Sequence, residues 1–134
     1  MTHTPRRILI VDDDTTIVEL LEQYFEDAGY RVEFALHGGD ALTLIQHEPP
    51  DLVLLDIAMP GMDGVQVLRR ILALEAAPPV IIVTGHEDGA LAAETRALGA
   101  VDYITKPFDL PRLRRAVNTA LAPGSEGAGD SAAT

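Results

Sequence analysis

The sequence contains no cysteine and no tryptophan, and only one of its ten cationic side chains is a lysine. Without cysteine the chain has no disulfide and no thiolate metal site, which fits a reducing cytoplasm. Aromatic residues make up 4% of the chain, too few to supply stacking platforms for single-stranded nucleic acid. Its apolar runs fall well short of the roughly 20 residues that a membrane span needs. We therefore expect a cytoplasmic protein that does not enter a membrane.

Positive charge is also scarce, since 10 basic side chains face 21 acidic ones and the net charge is −11. Such an excess repels phosphate backbones, so we expect no direct binding of nucleic acid. The 134 residues suit one domain with a single hydrophobic core. We place this domain at residues 6–121, after a short N-terminal extension over residues 1–5. Residues 122–134 are rich in Gly, Ala and Ser, which predicts a disordered tail or the stub of a linker.

Short β-branched runs alternate with amphipathic stretches along the whole domain. The predicted strands cover residues 6–11, 32–35, 51–55, 80–83 and 101–104, and the predicted helices cover residues 14–28, 40–46, 65–74, 89–98 and 110–121. Continuous apolar runs are typical of strands that are covered on both faces. Five strand–helix units predict an α/β fold with parallel strands, right-handed crossovers and helices on both faces of a doubly wound sheet.

Polar side chains follow four of the five predicted strands. In an open parallel sheet, ligands bind beyond the carboxyl ends of the strands. Asp12 and Asp13 follow the first strand, Asp56 follows the third, and Thr84 and Lys106 follow the fourth and fifth. Clustered carboxylates repel one another unless a cation joins them, and an all-oxygen ligand set suits Mg²⁺. The pattern predicts a magnesium site at this edge of the sheet.

Each of these side chains also has a simpler interpretation. Asp56 is either a nucleophile toward phosphorus or a turn residue before Pro60-Gly61, and Lys106 is either a point-charge partner or a surface lysine. Pro107 follows Lys106, so a cis peptide is accessible there. Asp14 is predicted to cap the first helix. Tyr103 packs in the core or is a ring that can change its orientation. The four histidines share no ligand spacing and are expected at the surface.

Taken in order, these segments resemble the receiver domain of two-component response regulators, from about residue 6 to residue 121. The segments that carry the resemblance are Val11-Asp12-Asp13, residues 55–64 with the sequence LDIAMPGMDG, Val83-Thr84-Gly85, and residues 103–108 with the sequence YITKPF. The resemblance implies a flavodoxin-like sheet of five parallel strands in the order 2-1-3-4-5. It also implies a switch protein rather than a turnover enzyme, whose only catalysis is its own phosphorylation and dephosphorylation.

The resemblance assigns a role to each residue at the predicted site. Asp56 would accept a phosphoryl group from a sensor histidine kinase or a histidine phosphotransfer protein. Asp12, Asp13, Asp56 and the backbone carbonyl of Ala58 would hold Mg²⁺, with Mn²⁺ as a substitute. Thr84 and Lys106 would bind the phosphoryl oxygens, and Tyr103 would turn inward as Thr84 moves. The signal would reach a downstream protein through the face formed by the fourth helix, fifth strand and fifth helix, and a phosphorylation-dependent dimer stays open.

Asp12-Asp13-Asp14-Thr15-Thr16 also resembles the Asp-x-Asp-x-Thr motif of haloacid-dehalogenase-type phosphatases. In that alternative Asp12 is the nucleophile, Asp14 is the general acid and base, and the protein is a Mg²⁺-dependent phosphohydrolase. The helix that begins directly after Asp14 leaves no room for the flap of that family, and Asp56 has no role in it. The complete set of acids, Thr84 and Lys106 likewise argues against a receiver-like domain that is never phosphorylated.

Overall fold

The computed structural model describes residues 4–122 of the chain, which fold into five strands and five helices in strict alternation. The elements are β1 (Arg7–Val11), α1 (Thr15–Asp27), β2 (Arg31–Ala35), α2 (Gly38–His47), β3 (Leu52–Leu55), α3 (Gly64–Leu72), β4 (Val80–Thr84), α4 (Gly89–Leu98), β5 (Asp102–Thr105) and α5 (Leu110–Leu121). All pairings are parallel and the strand order is β2-β1-β3-β4-β5. The predicted fold class is confirmed.

Two apolar layers cover the two faces of the sheet. On one face, alternate strand residues such as Ile10 and Ile104 pack against α1 and α5. On the other face, residues such as Leu9 and Ile82 pack against α2, α3 and α4. Side chains alternate between the faces along each strand, so both faces of β1, β3 and β4 are buried. This double burial explains why these three strands are continuous apolar runs.

The predicted boundaries of α4 and α5 agree with the structure, and the other elements differ from the prediction by one or two residues. The largest consequence is at α2, because the sequence pattern treats Gly38-Gly39 as a turn whereas both residues begin the helix. Space favours glycine at position 38, since a Cβ there would lie 2.3 Å from Met62 Sδ and 2.7 Å from Val67 Cγ2. The close approach of α2 to the loop before α3 therefore explains this glycine.

Four of the five helices in residues 4–122 have a capping aspartate at their start, whereas α2 follows His37 without a side-chain cap. Asp14 accepts hydrogen bonds from the backbone N–H groups of Thr16 and Ile17, which confirms its predicted role as a cap. Asp88 caps α4 in the same way. No helix in residues 4–122 is long and apolar enough to cross a membrane.

The predicted terminal segments fall largely beyond the described residues. Of the extension over residues 1–5, only Thr4 and Pro5 are described, and both are exposed outside any element. Of the predicted tail over residues 122–134, only Ala122 is described.

Candidate functional site

The carboxyl ends of β1, β3 and β5 bring one cation and two buried acids into direct contact. Lys106 Nζ lies 2.6 Å from Asp12 Oδ2 and 3.1 Å from Asp56 Oδ2, within hydrogen-bond distance of both. Asp12 is 3% exposed and Asp56 is 6% exposed, so both carboxylates are largely withdrawn from water. Of the two interpretations of Lys106, these contacts favour a point-charge partner over a free surface lysine.

The direction of these three side chains follows from the strand pattern. Asp12, Asp56 and Lys106 each lie two residues after a strand residue that packs toward α1 and α5, namely Ile10, Leu54 and Ile104. Because side chains repeat every second residue along a strand, all three extend on the same side of the sheet. Backbone hydrogen bonds hold the extended chain beyond each strand, from Asp56 N–H to the Val11 carbonyl and from Lys106 N–H to the Thr84 carbonyl.

Asp13 completes an acidic cluster with Asp12 and Asp56. One carboxylate oxygen from each of the three residues can be chosen so that all lie within 4.8 Å of one another. Asp13 is exposed, whereas the other two are buried, so the cluster opens toward solvent on one side. Three carboxylate oxygens with an open side form a ligand set that fits Mg²⁺, which keeps some of its waters when it binds to proteins.

Burial and hydrogen bonding shift the pKa values of both Asp12 and Lys106. Burial raises the pKa of Asp12 above its ordinary value, and the hydrogen bonds from Lys106 and from the backbone of Asp14 offset this only in part. Burial by itself would lower the pKa of Lys106, but its hydrogen bonds to Asp12 and Asp56 raise it overall. The ammonium is therefore firmly charged, while burial disfavours the charged form of Asp12 despite its contact with Lys106. A divalent cation at the cluster would favour the charged form of Asp12.

The two oxygens of Asp56 have different partners. Oδ2 accepts the hydrogen bond from Lys106, and Oδ1 accepts one from the backbone N–H of Ala58 at 2.8 Å. The resemblance implied a role for Ala58 only through its backbone carbonyl, as a metal ligand. The hydrogen bond from its backbone N–H to Asp56 was not expected. No side-chain pattern could predict it, because it depends on the turn that the backbone makes after β3.

Thr84 ends β4 with its hydroxyl fully buried. The residue is 0% exposed, and Thr84 Oγ1 has no hydrogen-bond partner among the described residues. Leaving a buried hydroxyl unpaired is unfavourable by about 1–3 kcal/mol. Thr84 lies on the side of the sheet that carries Ile82, opposite to the side of Asp56 and Lys106. The Thr84 hydroxyl can therefore donate a hydrogen bond to a group that binds at the strand ends.

Tyr103 lies on β5 on the same side of the sheet as Thr84. Its half-buried ring packs against the layer of α2, α3 and α4, and its hydroxyl donates a hydrogen bond to the His86 carbonyl at 2.7 Å. Burial raises the pKa of Tyr103, with smaller contributions from Asp88 and Asp56. The ring thus both packs and connects β5 to the loop between β4 and α4. His37, His47 and His86 are exposed, as predicted, and His3 lies outside the described residues.

The structure also bears on the Lys106–Pro107 peptide bond and on the phosphohydrolase alternative. The peptide bond between Lys106 and Pro107 is cis, as the sequence allowed. The phosphohydrolase alternative is not supported, because Asp14 uses its carboxylate to cap α1, and α1 begins at Thr15 with no inserted segment.

A family model described as "Response regulator receiver domain" matches residues 8–118. Sporulation initiation phosphotransferase F of Bacillus subtilis is 41% identical over 86% of this chain and 93% of its own length. Protein PilH of Pseudomonas aeruginosa is 42% identical over 87% of this chain and 98% of its own length. The chain also matches longer proteins, such as the transcriptional regulatory protein ZraR of Escherichia coli, of which it spans 28% at 39% identity.

Solved structures give the same result for the fold. A CheY-like response regulator receiver domain protein from Methanospirillum hungatei superposes with a TM-score of 0.86 at 34% identity, over 92% of this chain and 99% of that one. The receiver domain of a LuxO repressor protein from Vibrio parahaemolyticus superposes with a TM-score of 0.83 at 34% identity, over 88% and 91% of the two chains. Sequence and structure comparisons therefore agree over most of the chain.

Proposed function

The chain belongs to the response regulator receiver domain family and is a phosphoacceptor of two-component signalling, and we propose that Asp56 is the residue that accepts the phosphoryl group. The observation that carries this proposal is the buried Asp56 carboxylate in contact with Lys106 and within 4.8 Å of the Asp12 and Asp13 oxygens. A carboxylate held at a strand end beside a cation is a suitable nucleophile toward phosphorus.

The reaction is an in-line transfer. A carboxylate oxygen of Asp56 forms a bond to phosphorus, the bond from phosphorus to the donor's imidazole nitrogen breaks, and the electron pair stays on that imidazole. Positioning and charge neutralisation supply most of the catalysis in transfers of this kind. The Ala58 N–H already holds Oδ1 of Asp56 at 2.8 Å, which fixes the orientation of the nucleophile.

Asp12, Asp13, Asp56 and the Ala58 carbonyl are the groups that would hold Mg²⁺, or Mn²⁺ in its place. When bound, the ion would neutralise negative charge on the transferred group and on the carboxylates. The three carboxylate oxygens within 4.8 Å of one another, with Asp13 on the side open to solvent, support this assignment.

Lys106 and Thr84 would bind the new phosphoryl oxygens. Lys106 is within reach because it contacts the same carboxylate that becomes phosphorylated. Thr84 offers a buried hydroxyl that has no partner in residues 4–122, and a phosphoryl oxygen would give it one. Movement of Thr84 would in turn change the packing of Tyr103, which shares its side of the sheet. The switch would then act through α4, β5 and α5 on a downstream protein.

The donor in this proposal is a sensor histidine kinase or a histidine phosphotransfer protein, and the protein works in the cytoplasm as a switch without turnover of a substrate. Its own phosphorylation and dephosphorylation are the only reactions that it catalyses. Covalent phosphorylation at one residue, with no continuing release of product from unrelated monoesters, distinguishes such a switch from a phosphatase.

The proposal is tested with acetyl phosphate as a small donor. Incubation with Mg²⁺ is expected to add one phosphoryl group to the intact mass, and Asp56→Asn should abolish the addition. Asp63→Asn is the matched control, because it makes the same change in the next loop and Asn is also a good helix cap. An adduct that survives in Asp56→Asn, or steady release of phosphate from monoesters, would contradict the proposal.

A further inference from the structure

Both sulfur-containing side chains of residues 4–122 lie in the loop between β3 and α3. The chain has no cysteine and three methionines, of which Met1 lies outside the described residues. The other two, Met59 and Met62, closely follow Asp56 along the chain. A thioether is readily oxidised to a sulfoxide, and specific reductases reverse the reaction. Residues 4–122 therefore carry both of their oxidisable sulfurs beside the proposed phosphoacceptor.

The two methionines differ in their exposure to solvent. Met59 is 5% exposed and belongs to the apolar layer under α2, α3 and α4, whereas Met62 is half-buried and packs on the outside of that layer. Both border a cavity of about 310 Å³ whose walls include the exposed His37 and Gly61, so the cavity is open to solvent. A water molecule takes up about 30 Å³ in the liquid, so a small peroxide can enter. Met62 is the more accessible of the two side chains.

The Met62 sulfur is closely packed on its protein side. It lies where the start of α2 meets the first turn of α3, since a Cβ on Gly38 would overlap both Met62 Sδ and Val67 Cγ2. Oxidation adds an oxygen atom to this sulfur and makes the side chain polar and chiral. A close-packed apolar contact does not accept an extra polar atom without movement. We therefore expect the sulfoxide to leave Gly38 and to turn toward the cavity.

A short loop would transmit the movement of Met62 to Asp56. The Ala58 N–H holds Oδ1 of Asp56 at 2.8 Å, and Asp63 caps the start of α3. Between Ala58 and Asp63, the side chains that pack on the apolar layer are those of Met59 and Met62. Loss of the Met62 contact removes one of these two anchors. It therefore loosens the turn that orients the nucleophile.

We propose that Met62 is a reversible oxidation site and that its sulfoxide slows the phosphorylation of Asp56. The sulfur attacks one oxygen of hydrogen peroxide, the S–O bond forms as the O–O bond breaks, and the second oxygen leaves as water with the proton of the first. Sulfur loses two electrons, which reduce the peroxide. A thiol-dependent sulfoxide reductase restores the thioether and releases the oxygen as water. The inference rests on the proposed role of Asp56 and places that role under the control of oxidants.

Peroxide treatment of the full chain tests the proposal. After treatment with graded amounts of hydrogen peroxide, peptide mass spectrometry measures the sulfoxide at each methionine, and incubation with acetyl phosphate and Mg²⁺ measures the rate of labelling. Met62 should be oxidised at least threefold faster than Met59, and labelling should slow at least fivefold as Met62 is converted. Methionine sulfoxide reductases specific for the two epimers should restore the rate.

Substitutions separate the effect of Met62 from that of Met59. Met62→Leu removes the sulfur at similar volume, so it should be labelled within about twofold of the wild type both before and after peroxide. Met59→Leu is the matched control, because it makes the same change in the same loop and should still be slowed by peroxide. Met62→Gln places a polar amide where the sulfoxide would be, and it should be labelled at least fivefold more slowly without any oxidant. Circular dichroism checks that each variant is folded.

Several results would overturn the proposal: faster oxidation of Met59, equal slowing by peroxide in Met62→Leu, or normal labelling of either Met62→Gln or the protein fully oxidised at Met62. A thermal scan tests it independently of phosphorylation, since oxidation of Met62 should lower Tm by about 3–5 °C and the reductases should reverse the loss. An unchanged Tm would also overturn it. Failure of the proposed role of Asp56 is recognised separately, because labelling of the unoxidised protein would then survive in Asp56→Asn.

Discussion

At the scale of single residues, the buried hydroxyl of Thr84 is the clearest mark of a function that is not structural. Its side chain makes no hydrogen bond within residues 4–122, although the position is fully buried. A residue selected for stability alone would be valine, which has the same shape without the unsatisfied donor. The hydroxyl is therefore best explained by a group that reaches the site only part of the time.

We predict that Thr84→Val leaves the free energy of unfolding unchanged or raises it by up to about 1 kcal/mol, because an unpaired buried hydroxyl is removed. The same variant should be labelled by acetyl phosphate several-fold more slowly, whereas Thr84→Ser should keep the wild-type rate. Urea unfolding and time-resolved intact mass measure the two effects. A loss of more than 1 kcal/mol in Thr84→Val would mean that the hydroxyl has a structural partner.

A substitution in the acidic cluster should show the same relation, with a gain in stability and a loss of function. Asp13→Asn removes one of three carboxylates within 4.8 Å of one another and so relieves repulsion. We predict a rise of about 3–5 °C in Tm without Mg²⁺ and a smaller further rise on adding Mg²⁺ than the wild type shows. Thermal scans with and without Mg²⁺ measure both. An equal Mg²⁺ response in the two proteins would remove Asp13 from the site.

The sequence predicted which residues meet at the site because the carboxyl ends of parallel strands lie at the same edge of the sheet. Asp12, Asp56 and Lys106 could be grouped from strand ends alone, and their contacts confirm the grouping. The unpaired state of Thr84 and the N–H of Ala58 could not be predicted, since both depend on how the backbone turns after the strand. The residue type determines which hydrogen bonds a side chain can form, but its actual partner depends on the three-dimensional packing.

At the scale of elements, the loop between β3 and α3 is held in place by glycine. A Cβ on Gly64, the first residue of α3, would lie 2.3 Å from Ile57 Cα and 2.4 Å from the Ile57 carbonyl oxygen. Both of these are backbone atoms that cannot move without the loop. Because Ile57 directly follows Asp56, the start of α3 positions the proposed phosphoacceptor.

Gly64→Ala is therefore expected to cost about 1–3 kcal/mol of stability and to slow labelling of Asp56 at temperatures where the protein is folded. Gly39→Ala is its control, because a Cβ there meets nothing within 4 Å and alanine favours the helix by about 1 kcal/mol. Urea unfolding and intact mass again provide the measurements. Equal stability of the two variants would show that the backbone at Ile57 can move to make room for a Cβ at position 64.

The elements themselves were largely predictable from their periodicity, and the differences have local causes. Gly29 and Gly99, with φ values of 99° and 124°, lie just after α1 and α4 and are reliable stop signals. The start of α2 at Gly38 was not predictable, because a glycine pair is typical of a turn. The close packing of both Met62 and Val67 against Gly38 favours glycine at the start of this helix.

At the scale of the whole molecule, the two ends of the sheet have separate roles. At the end opposite to the acidic cluster, the buried Arg7 side chain donates hydrogen bonds to Glu33 at 2.6 Å and to the carbonyls of Pro49 and Glu48. Its backbone N–H donates to Asp51. The sequence pattern includes Arg7 in the first predicted strand but does not predict this network, because its partners lie 26 to 44 residues away.

We predict that Arg7→Met lowers the free energy of unfolding by about 2 kcal/mol, since the partly buried hydrogen bonds to the Glu48 and Pro49 carbonyls and the ion pair with Glu33 are lost. Labelling of Asp56 by acetyl phosphate should stay within twofold of wild type below the transition. Urea unfolding and the labelling rate test the separation of the two ends. A folded Arg7→Met protein that is not labelled would show that they are coupled.

The account depends most on the identity of the phosphorylated residue. Borohydride reduces an aspartyl phosphate to homoserine, so treatment of the acetyl phosphate-labelled protein marks the acceptor permanently. Tandem mass spectrometry of the peptides then locates it. The account predicts homoserine at position 56 and intact aspartate at positions 12 and 13, with the signal absent when Mg²⁺ is chelated before labelling. Homoserine at position 12, or at no aspartate, would contradict it.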